Sequence, residues 1–289
     1  MGTWGTGLYA NDFAEDFKDS IKAVAKLPLN PAELVELLRQ SNVDIADNPQ
    51  DEDHTAFWLV LADQFHKRGI DVPSLFQRAY QIIDSGADLE MVASLGMSDS
   101  DLKKRKKMLE GLKAALSLPV PDKARKTISG PEPFLLNVGD LVVYPVSSSG
   151  YPPNPYMSQA MIAEHWDHSG WGAMVIAACG RAFGYLAWYW PIVLEKAKPL
   201  SKKPDAASLL LEKKWQVSLP GTCSKSHFKK MQLETVRSVS ISEAKVRRLL
   251  KDVANADEYA MNDISIANAI DIRGDRRFQN VAGIEALSS

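Results

Sequence analysis

The sequence has few cysteines, no long apolar run and no strong excess of either charge, and each shortage argues against a class of protein. Its two cysteines are too few for a disulfide framework. No apolar run reaches the roughly 18–20 residues of a membrane span, and no basic segment followed by an apolar stretch marks a secretory signal. The net charge of −2 lacks the basic excess of nucleic-acid-binding proteins. We therefore expect a cytoplasmic protein, and we expect neither a membrane nor nucleic acid as its partner.

The composition, with 45% hydrophobic residues, is that of an ordinary globular protein. Its charged residues are distributed unevenly along the chain. Residues 1–118 carry 13 Lys and Arg against 19 Asp and Glu, whereas residues 119–289 carry 21 against 17. Complementary charge speeds the encounter of two proteins. The acidic first part of the chain therefore suits a basic protein partner.

The order of patterns along the chain predicts the fold class. Helical spacing of apolar residues, with proline and glycine at helix starts and stops, predicts an all-α module over residues 1–118. Four prolines in residues 119–133 predict a linker. Residues 134–289 contain β-branched runs separated by glycine-bearing turns, and a helix is expected near 242–255. We therefore predict an α+β protein whose second module is a small antiparallel sheet or barrel.

The opening stretch, "MGTWGTGLYANDFAEDF", has three interpretations. As a phosphate-binding loop it lacks both a preceding strand and the Lys-Ser/Thr of a P-loop. As a myristoylation signal it matches a short pattern, but one acyl chain holds a membrane only marginally. As a structural clasp it needs only flexible glycines, aromatic residues to bury and a helix cap. We prefer the clasp, whose motif residues are Gly2, Trp4, Gly5, Gly7, Asn11 and Asp12.

The same motif carries a resemblance to known proteins. The start M-G-x-W-G-x-G-x-x-x-N-D resembles a bacterial domain family that has no assigned function. The likeness continues through "FWLVLADQFHKRGID" and "KKRKKMLEGLKAALSLPVP". These segments resemble a longer subgroup of the family, which has a C-terminal β-rich module. That module opens with a V-G-D-hydrophobic element, here residues 138–142, which resembles small barrels in immunity proteins of bacterial toxin systems. The resemblance implies no catalytic residues and no cofactor.

Two groups of side chains could carry chemistry. The segment "AEHWDHSGW" places His165 and His168 beside acids, as a metal site would require, although a polar loop explains the same residues. Cys223 lies near Lys225 and His227 in a loop, which makes it the candidate cysteine nucleophile. Cys179 lies in an apolar strand and is expected to be inert. The alternative function is therefore a metal- or cysteine-dependent hydrolase or nuclease.

Two charged runs have ordinary explanations. Acids at residues 51–53 suit the first turn of a helix, although they could also bind a cation. The run "KKRKK" at 103–107 could contact phosphates, but a solvated helix face is the usual setting for such a run.

Aromatic residues in the second module suggest a different function. Alternation along "YLAWYWPIVL" should send neighbouring aromatic side chains to opposite faces of a strand, so that one face fills the core and the other can meet a partner. The loop "SSSGYPPNPYM" is expected to be exposed. We therefore expect a non-enzymatic protein that binds another protein, as an immunity or antitoxin-type inhibitor of a bacterial toxin. The predicted partner-binding residues are Tyr151, Tyr156, Tyr185, Trp188, Tyr189 and Trp190.

Overall fold

The protein has an α+β fold, which confirms the predicted class. The computed structural model describes residues 5–250, 256–262, 264–268, 270 and 279–287. The chain divides into two compact units, Met1–Gly130 and Pro131–Ser289, which are described separately below. Helices build the first unit, and an antiparallel sheet with short helices builds the second. Over the described residues, none of the helices combines the length and the apolarity that crossing a bilayer requires.

The first unit packs its helices around one that is buried over most of its length. The central helix is α4, whose side chains are buried from His54 through Phe65. A helix that its neighbours surround carries apolar residues on most sides, and the buried Asp63 and Gln64 of α4 are hydrogen-bonded to the Tyr9 hydroxyl. The helices of this unit are α1 (Asp12–Val24), α2 (Pro31–Gln40), α3 (Val43–Ala46), α4 (His54–Lys67), α5 (Pro73–Ser85), α6 (Ala87–Ser94) and α7 (Asp99–Leu116).

Local signals in the sequence fix several of these helix ends. Asn30 and Glu33 form a reciprocal capping box at the start of α2. The Ser98 side chain caps α7 by accepting a hydrogen bond from the backbone N–H of Asp101. Gly86 ends α5 in the left-handed conformation, with φ of 79°. The segment after α7 also belongs to this unit, since the backbone N–H of Ile128 donates to the carbonyl of Lys26 at 2.8 Å.

The second unit is built on a sheet of six strands in the order β5-β1-β2-β3-β4-β6, in which each pair of neighbouring strands is antiparallel over the described residues. The strands are β1 (Asp140–Val146), β2 (Gly170–Ala182), β3 (Leu186–Leu194), β4 (Trp215–Val217), β5 (Glu234–Ser238) and β6 (Asn280–Val281). The helices are α8 (Gln159–His165), α9 (Ala206–Leu211), α10 (Lys225–Lys230), α11 (Glu243–Leu249) and α12 (Ala256–Met261), with 3₁₀ turns at Ile266–Asn268 and Ile284–Leu287. The helix predicted near 242–255 is confirmed over α11, and residues 251–255 lie outside the described part.

The sheet begins at the V-G-D element noted in the sequence. Gly139 has φ of 89°, and a Cβ there would lie 2.0 Å from the carbonyl oxygen of Val239, so only glycine fits. Asp140 fastens the turn, since its Oδ2 accepts from the backbone N–H of Asn137 at 2.8 Å and its Oδ1 accepts from Ser238 Oγ at 2.6 Å. The element therefore sets the entry into β1 and ties it to β5.

Strands β1 and β3 are buried along their whole length, so both faces of the central sheet are covered. One face forms a core with Tyr144, Met174 and Tyr189. On the other face, the indole of Trp188 lies over Gly180, where a Cβ would approach it to 2.4 Å. The turn that contains Gly184 joins β2 and β3 in an antiparallel hairpin, as the pattern of strands separated by glycine-bearing turns predicts.

Candidate partner-binding surface

The connection between β1 and β2 is the most distinctive surface of the second unit. It runs over residues 147–169 between two strands that are direct neighbours in the sheet. A hairpin needs only a few residues for such a link, whereas this connection is long enough to include helix α8. The connection exposes three large apolar side chains, Tyr151 at 41%, Tyr156 at 51% and Met161 at 45%.

Several contacts hold this β1–β2 connection in one conformation. Lys230 Nζ donates to the carbonyls of Pro155 at 2.9 Å and of Met157 at 2.8 Å. The Tyr156 hydroxyl accepts a hydrogen bond from the backbone N–H of Ser265 at 2.9 Å. Its ring meets His227 of α10 edge to face, with centroids 5.0 Å apart. Tyr156 is therefore exposed and yet fixed, which lowers the entropy that a partner would have to remove on binding.

The end of the connection carries a second group of aromatic side chains. The His168 ring lies against Trp166, with ring centroids 6.1 Å apart and planes 19° apart, and meets Trp171 edge to face at 5.4 Å. Trp166 Nε1 donates to the carbonyl of Tyr151 at 3.3 Å, which joins the two ends of the connection. Lys203 Nζ lies 5.6 Å from the centroid of the Trp171 ring. We call Tyr151, Trp166, His168 and Trp171 the aromatic strip.

The two tryptophans of the strip were not among the partner-binding residues expected from the sequence. In the sequence they are neighbours of the histidine pair His165 and His168. A usable signal was present, since both lie in the polar stretch "HWDHSGW", where no apolar run offers them a core. Tryptophan and tyrosine are enriched at the energetic centres of protein interfaces.

The structure does not offer three of the expected aromatic residues to a partner. Trp188, Tyr189 and Trp190 are 7%, 0% and 8% exposed. Alternation does place Tyr189 in the core of one face, but the opposite face is covered as well. There, Trp188 Nε1 donates to Asp257 at 3.0 Å and Trp190 Nε1 donates to the carbonyl of Ser218 at 2.6 Å.

The remaining expected residue of that run, Tyr185, lies in the turn between β2 and β3. It is half-buried, and its carbonyl accepts from the backbone N–H of Glu132 at 2.9 Å. Of the six expected partner-binding residues, Tyr151 and Tyr156 are therefore the exposed ones.

The histidine pair does not converge on a metal site. Helix α8 ends at His165, so His168 lies beyond it in the loop and not on the same helical face. The closest acid to His165 is its neighbour Glu164, at 3.7 Å, and both side chains are largely exposed. Over the described residues, no group of three or more His, Cys, Asp or Glu side chains is arranged to hold a metal ion.

The cysteines lack the environment of a nucleophile. Burial raises the pKa of the Cys223 thiol to about 12, so the thiolate is scarce at neutral pH. Cys223 belongs to the same core cluster as Tyr144 and Tyr189. Burial also raises the pKa of Cys179 on β2. Neither thiol is therefore activated for attack on a substrate.

The chain matches no family model, no curated protein and no solved structure with which it was compared. The physical evidence that bears on function is therefore the geometry of the described residues, with the aromatic strip at its centre.

The glycine-rich opening stretch forms contacts within the first unit, although Gly2 and Trp4 lie outside the described residues. Asn11 caps α1 by accepting from the backbone N–H of Ala14 at 2.7 Å, so Asp12 begins that helix. The carbonyl of Gly7 accepts a hydrogen bond from Arg105 Nη1. The Tyr9 hydroxyl bonds to Asp63. Contacts of this kind are what the clasp interpretation requires. The described part of the motif begins at Gly5.

The two charged runs of this unit have structural roles. Arg105, in the middle of the run at 103–107, is 3% exposed and pairs with Asp88, so the whole run is not a solvated helix face. Asp53, in the acidic run at 51–53, accepts from Asn11 Nδ2 at 2.9 Å. Burial, followed by the neighbouring carboxylates Glu52 and Asp51, raises the pKa of Asp53 to about 6.

Proposed function

We propose that this protein is a non-enzymatic binder of another protein and acts as an immunity-type inhibitor of a bacterial toxin. The observation that carries the proposal is the aromatic strip, which is partly exposed and held by specific contacts. Interfaces gain most of their affinity from a few Trp, Tyr and Arg side chains. Rigid aromatic residues bury much area at a low cost in side-chain entropy.

The immunity-type role rests on the V-G-D element at residues 138–142. Its sequence resembles the opening of small barrels in immunity proteins of toxin systems. The turn at Gly139 and the ties of Asp140 to Asn137 and Ser238 give that element a definite structural part in this chain. We place this role in the cytoplasm, where a protein with two free thiols meets a reducing environment.

The decisive experiment combines growth protection with a binding measurement. The chain is co-expressed with the product of the neighbouring gene, and growth and co-purification are recorded. A toxin-like product whose effect is suppressed by this chain, in a complex that co-purifies, is the expected result. A chain that forms no complex and protects against no neighbouring product would contradict the proposal.

Substitutions within the second unit test whether the strip makes the contact. Trp166→Ala and Trp171→Ala should each weaken the complex, because hot-spot truncations cost about 2 kcal/mol or more, or roughly 30-fold in Kd. Leu211→Ala is the matched control, since Leu211 is 73% exposed in the same unit but lies on α9 outside the strip. Equal affinity of all three variants would show that the strip is not the binding surface.

A further inference from the structure

Helix α8 is the part of the β1–β2 connection that the rest of the unit covers least. None of its side chains is buried, and among its seven residues only Ile162 is half-buried. Over the described residues, α8 packs closely against no other helix or strand. By contrast, α9 and α11 each bury a side chain, Leu209 and Val246. Helix α8 therefore protrudes from the surface of the second unit.

The side chains of this protruding helix are mainly apolar. Ala160, Met161, Ile162 and Ala163 follow one another in the chain, and Met161 is 45% exposed. A helix this short gains most of its stability from packing an apolar face against other elements. A partner that covers α8 would supply the packing that the described residues provide only at Ile162.

Contacts at both ends hold α8 in one position. Ser158 Oγ accepts a hydrogen bond from the backbone N–H of Met161 at 3.2 Å and so caps the first turn. Just before the helix, Lys230 donates to two backbone carbonyls. Just after it, Trp166 Nε1 donates to the carbonyl of Tyr151. The helix is thus presented beside the aromatic strip in a fixed conformation, which lowers the entropy lost on binding.

Residues 147–171 carry negative charge only, apart from their histidines. This stretch contains no Lys or Arg, and its two acids are Glu164 and Asp167. Over the described residues, no Lys or Arg nitrogen lies within 4.0 Å of either carboxylate. The Glu164 side chain is 73% exposed and lies 3.7 Å from the ring of His165. The C-terminal end of α8 therefore offers carboxylates to a partner.

Lys230 and Lys203 contact this stretch, and both have other partners. Lys230 uses its ammonium group for the two carbonyls before α8. Lys203 lies 5.6 Å from the centroid of the Trp171 ring and pairs with Glu234 of β5. Neither lysine forms an ion pair with the two carboxylates at the end of α8.

We propose that α8 inserts into an apolar cleft of the protein partner, with Met161 as its main anchor and a basic side chain of the cleft rim paired with Glu164. This inference rests on the proposed function and names the shape and chemistry of the partner. A protruding apolar helix is complementary to a concave apolar surface, and the flexible methionine side chain adapts to such a surface. Asp167, three residues after Glu164, adds negative charge at the same end of the helix.

A protein cleft fits these observations better than a membrane or a nucleic acid does. Short helices that bind membrane surfaces are rich in Lys and Arg on their polar face. Nucleic acid is held through Lys and Arg that neutralise its phosphates. Residues 147–171 contain neither amino acid. The apolar side chains of α8 and the two carboxylates at its end instead match a protein surface that is apolar inside and basic at its edge.

The first test changes the anchor in the full chain and measures binding to the product of the neighbouring gene. Met161→Glu should weaken the complex by about 30-fold or more, because it places a charge in an apolar cleft. Met161→Leu keeps the volume and the apolar character and should bind within roughly threefold of the unchanged chain. Leu211→Glu is the matched control, since Leu211 is also exposed, on α9 of the same unit, and it should bind like the unchanged chain.

The second test reverses the charge at the end of α8. Glu164→Arg should slow association and weaken the complex about tenfold or more at low salt, because it meets the basic rim with a like charge. Glu243→Arg is the control, since Glu243 lies on α11 of the same unit and its side chain is 79% exposed, close to the 73% of Glu164. The control should bind like the unchanged chain. Thermal unfolding of every variant verifies that it is folded.

Each part of the proposal has an outcome that overturns it. Binding by Met161→Glu as tight as by Leu211→Glu would overturn the inserted helix, and binding by Glu164→Arg as tight as by Glu243→Arg would overturn the basic rim. Sedimentation of the chain alone as a dimer that Met161→Glu dissociates would overturn it in favour of a second copy. Binding to phosphatidylglycerol vesicles that Met161→Glu abolishes would overturn it in favour of a membrane.

The same variants separate this inference from the proposed function. If Trp166→Ala and Trp171→Ala weaken the complex but Met161→Glu does not, the inserted helix is wrong and the protein-binding function stands. If no complex forms with the product of the neighbouring gene, the proposed function fails and this inference fails with it.

Discussion

Asp88 accepts two hydrogen bonds from the guanidinium of Arg105, Nε to Oδ2 at 2.9 Å and Nη2 to Oδ1 at 2.9 Å. Both side chains are buried, at 1% and 3% exposure. The third nitrogen of the guanidinium, Nη1, donates a hydrogen bond to the carbonyl of Gly7. Thr55 Oγ1 also donates to Asp88, at 3.3 Å. One buried ion pair therefore joins α6 and α7 to the glycine-rich opening stretch.

Removing one partner of this pair should strongly destabilise the helical unit. Asp88→Ala leaves a buried guanidinium without its counter-charge, which costs about 3–5 kcal/mol. Chemical denaturation followed by the helical circular dichroism signal measures the effect. Lys104→Ala is the control, because Lys104 pairs with Asp101 on the exposed side of the same helix, and it should change stability little. Equal stability of the two variants would contradict the structural role of the pair.

The buried pair also shows what the sequence could not predict. The run at 103–107 has five consecutive basic residues and is typical of a solvated helix face. Arg105 is nevertheless buried, because it pairs with the buried Asp88, seventeen residues earlier in the chain. The fold class, the β2–β3 hairpin and the helix after Ser242 were predictable, since they depend on local periodicity and turn residues. The burial of Trp188 and Trp190 was not, because residues 69 and 28 positions away cover them.

Asp53 gives the helical unit a stability that depends on pH. Its pKa in the folded protein is raised to about 6, above the usual range of an unfolded aspartate near 4. Its contribution is therefore fully present below about pH 4 and is lost as pH rises through about 6. Asp53→Asn should raise the melting temperature at pH 7 and flatten its pH dependence between 4 and 6.

A second aspartate provides the control of opposite sign. Hydrogen bonds from Lys104 and Ser98 lower the pKa of Asp101, so this carboxylate stabilises the folded state when it is charged. Asp101→Asn should therefore lower the melting temperature at pH 7, and a rise in that variant would show that the change in net charge dominates.

The two thiols should react slowly in the folded protein. Burial holds the pKa of Cys223 at about 12 and raises that of Cys179, so the thiolate that a reagent needs is rare at pH 8. A disulfide reagent should label both sites slowly in buffer and rapidly in denaturant. Fast labelling of Cys223 in the native state would favour the cysteine-dependent enzyme over a binding protein.

Lys230 should control the order of the β1–β2 connection. Lys230→Ala removes two hydrogen bonds from a charged donor, each worth about 1.5–3 kcal/mol locally. Amide hydrogen exchange over residues 154–158 should accelerate, and affinity for the partner should fall because the loop must then be ordered on binding. Lys214→Ala is the control, since Lys214 is exposed in the same unit and, in the described part of the chain, its side chain forms no hydrogen bond or ion pair with the connection. Unchanged exchange in Lys230→Ala would show that the connection is held by its other contacts.

The most direct test of the central claim is a hydrogen-exchange footprint of the full chain with and without the product of the neighbouring gene. The account predicts that complex formation protects amides within residues 147–171, where the aromatic strip lies. Protection confined to residues 12–116, with no change in 147–171, would contradict it.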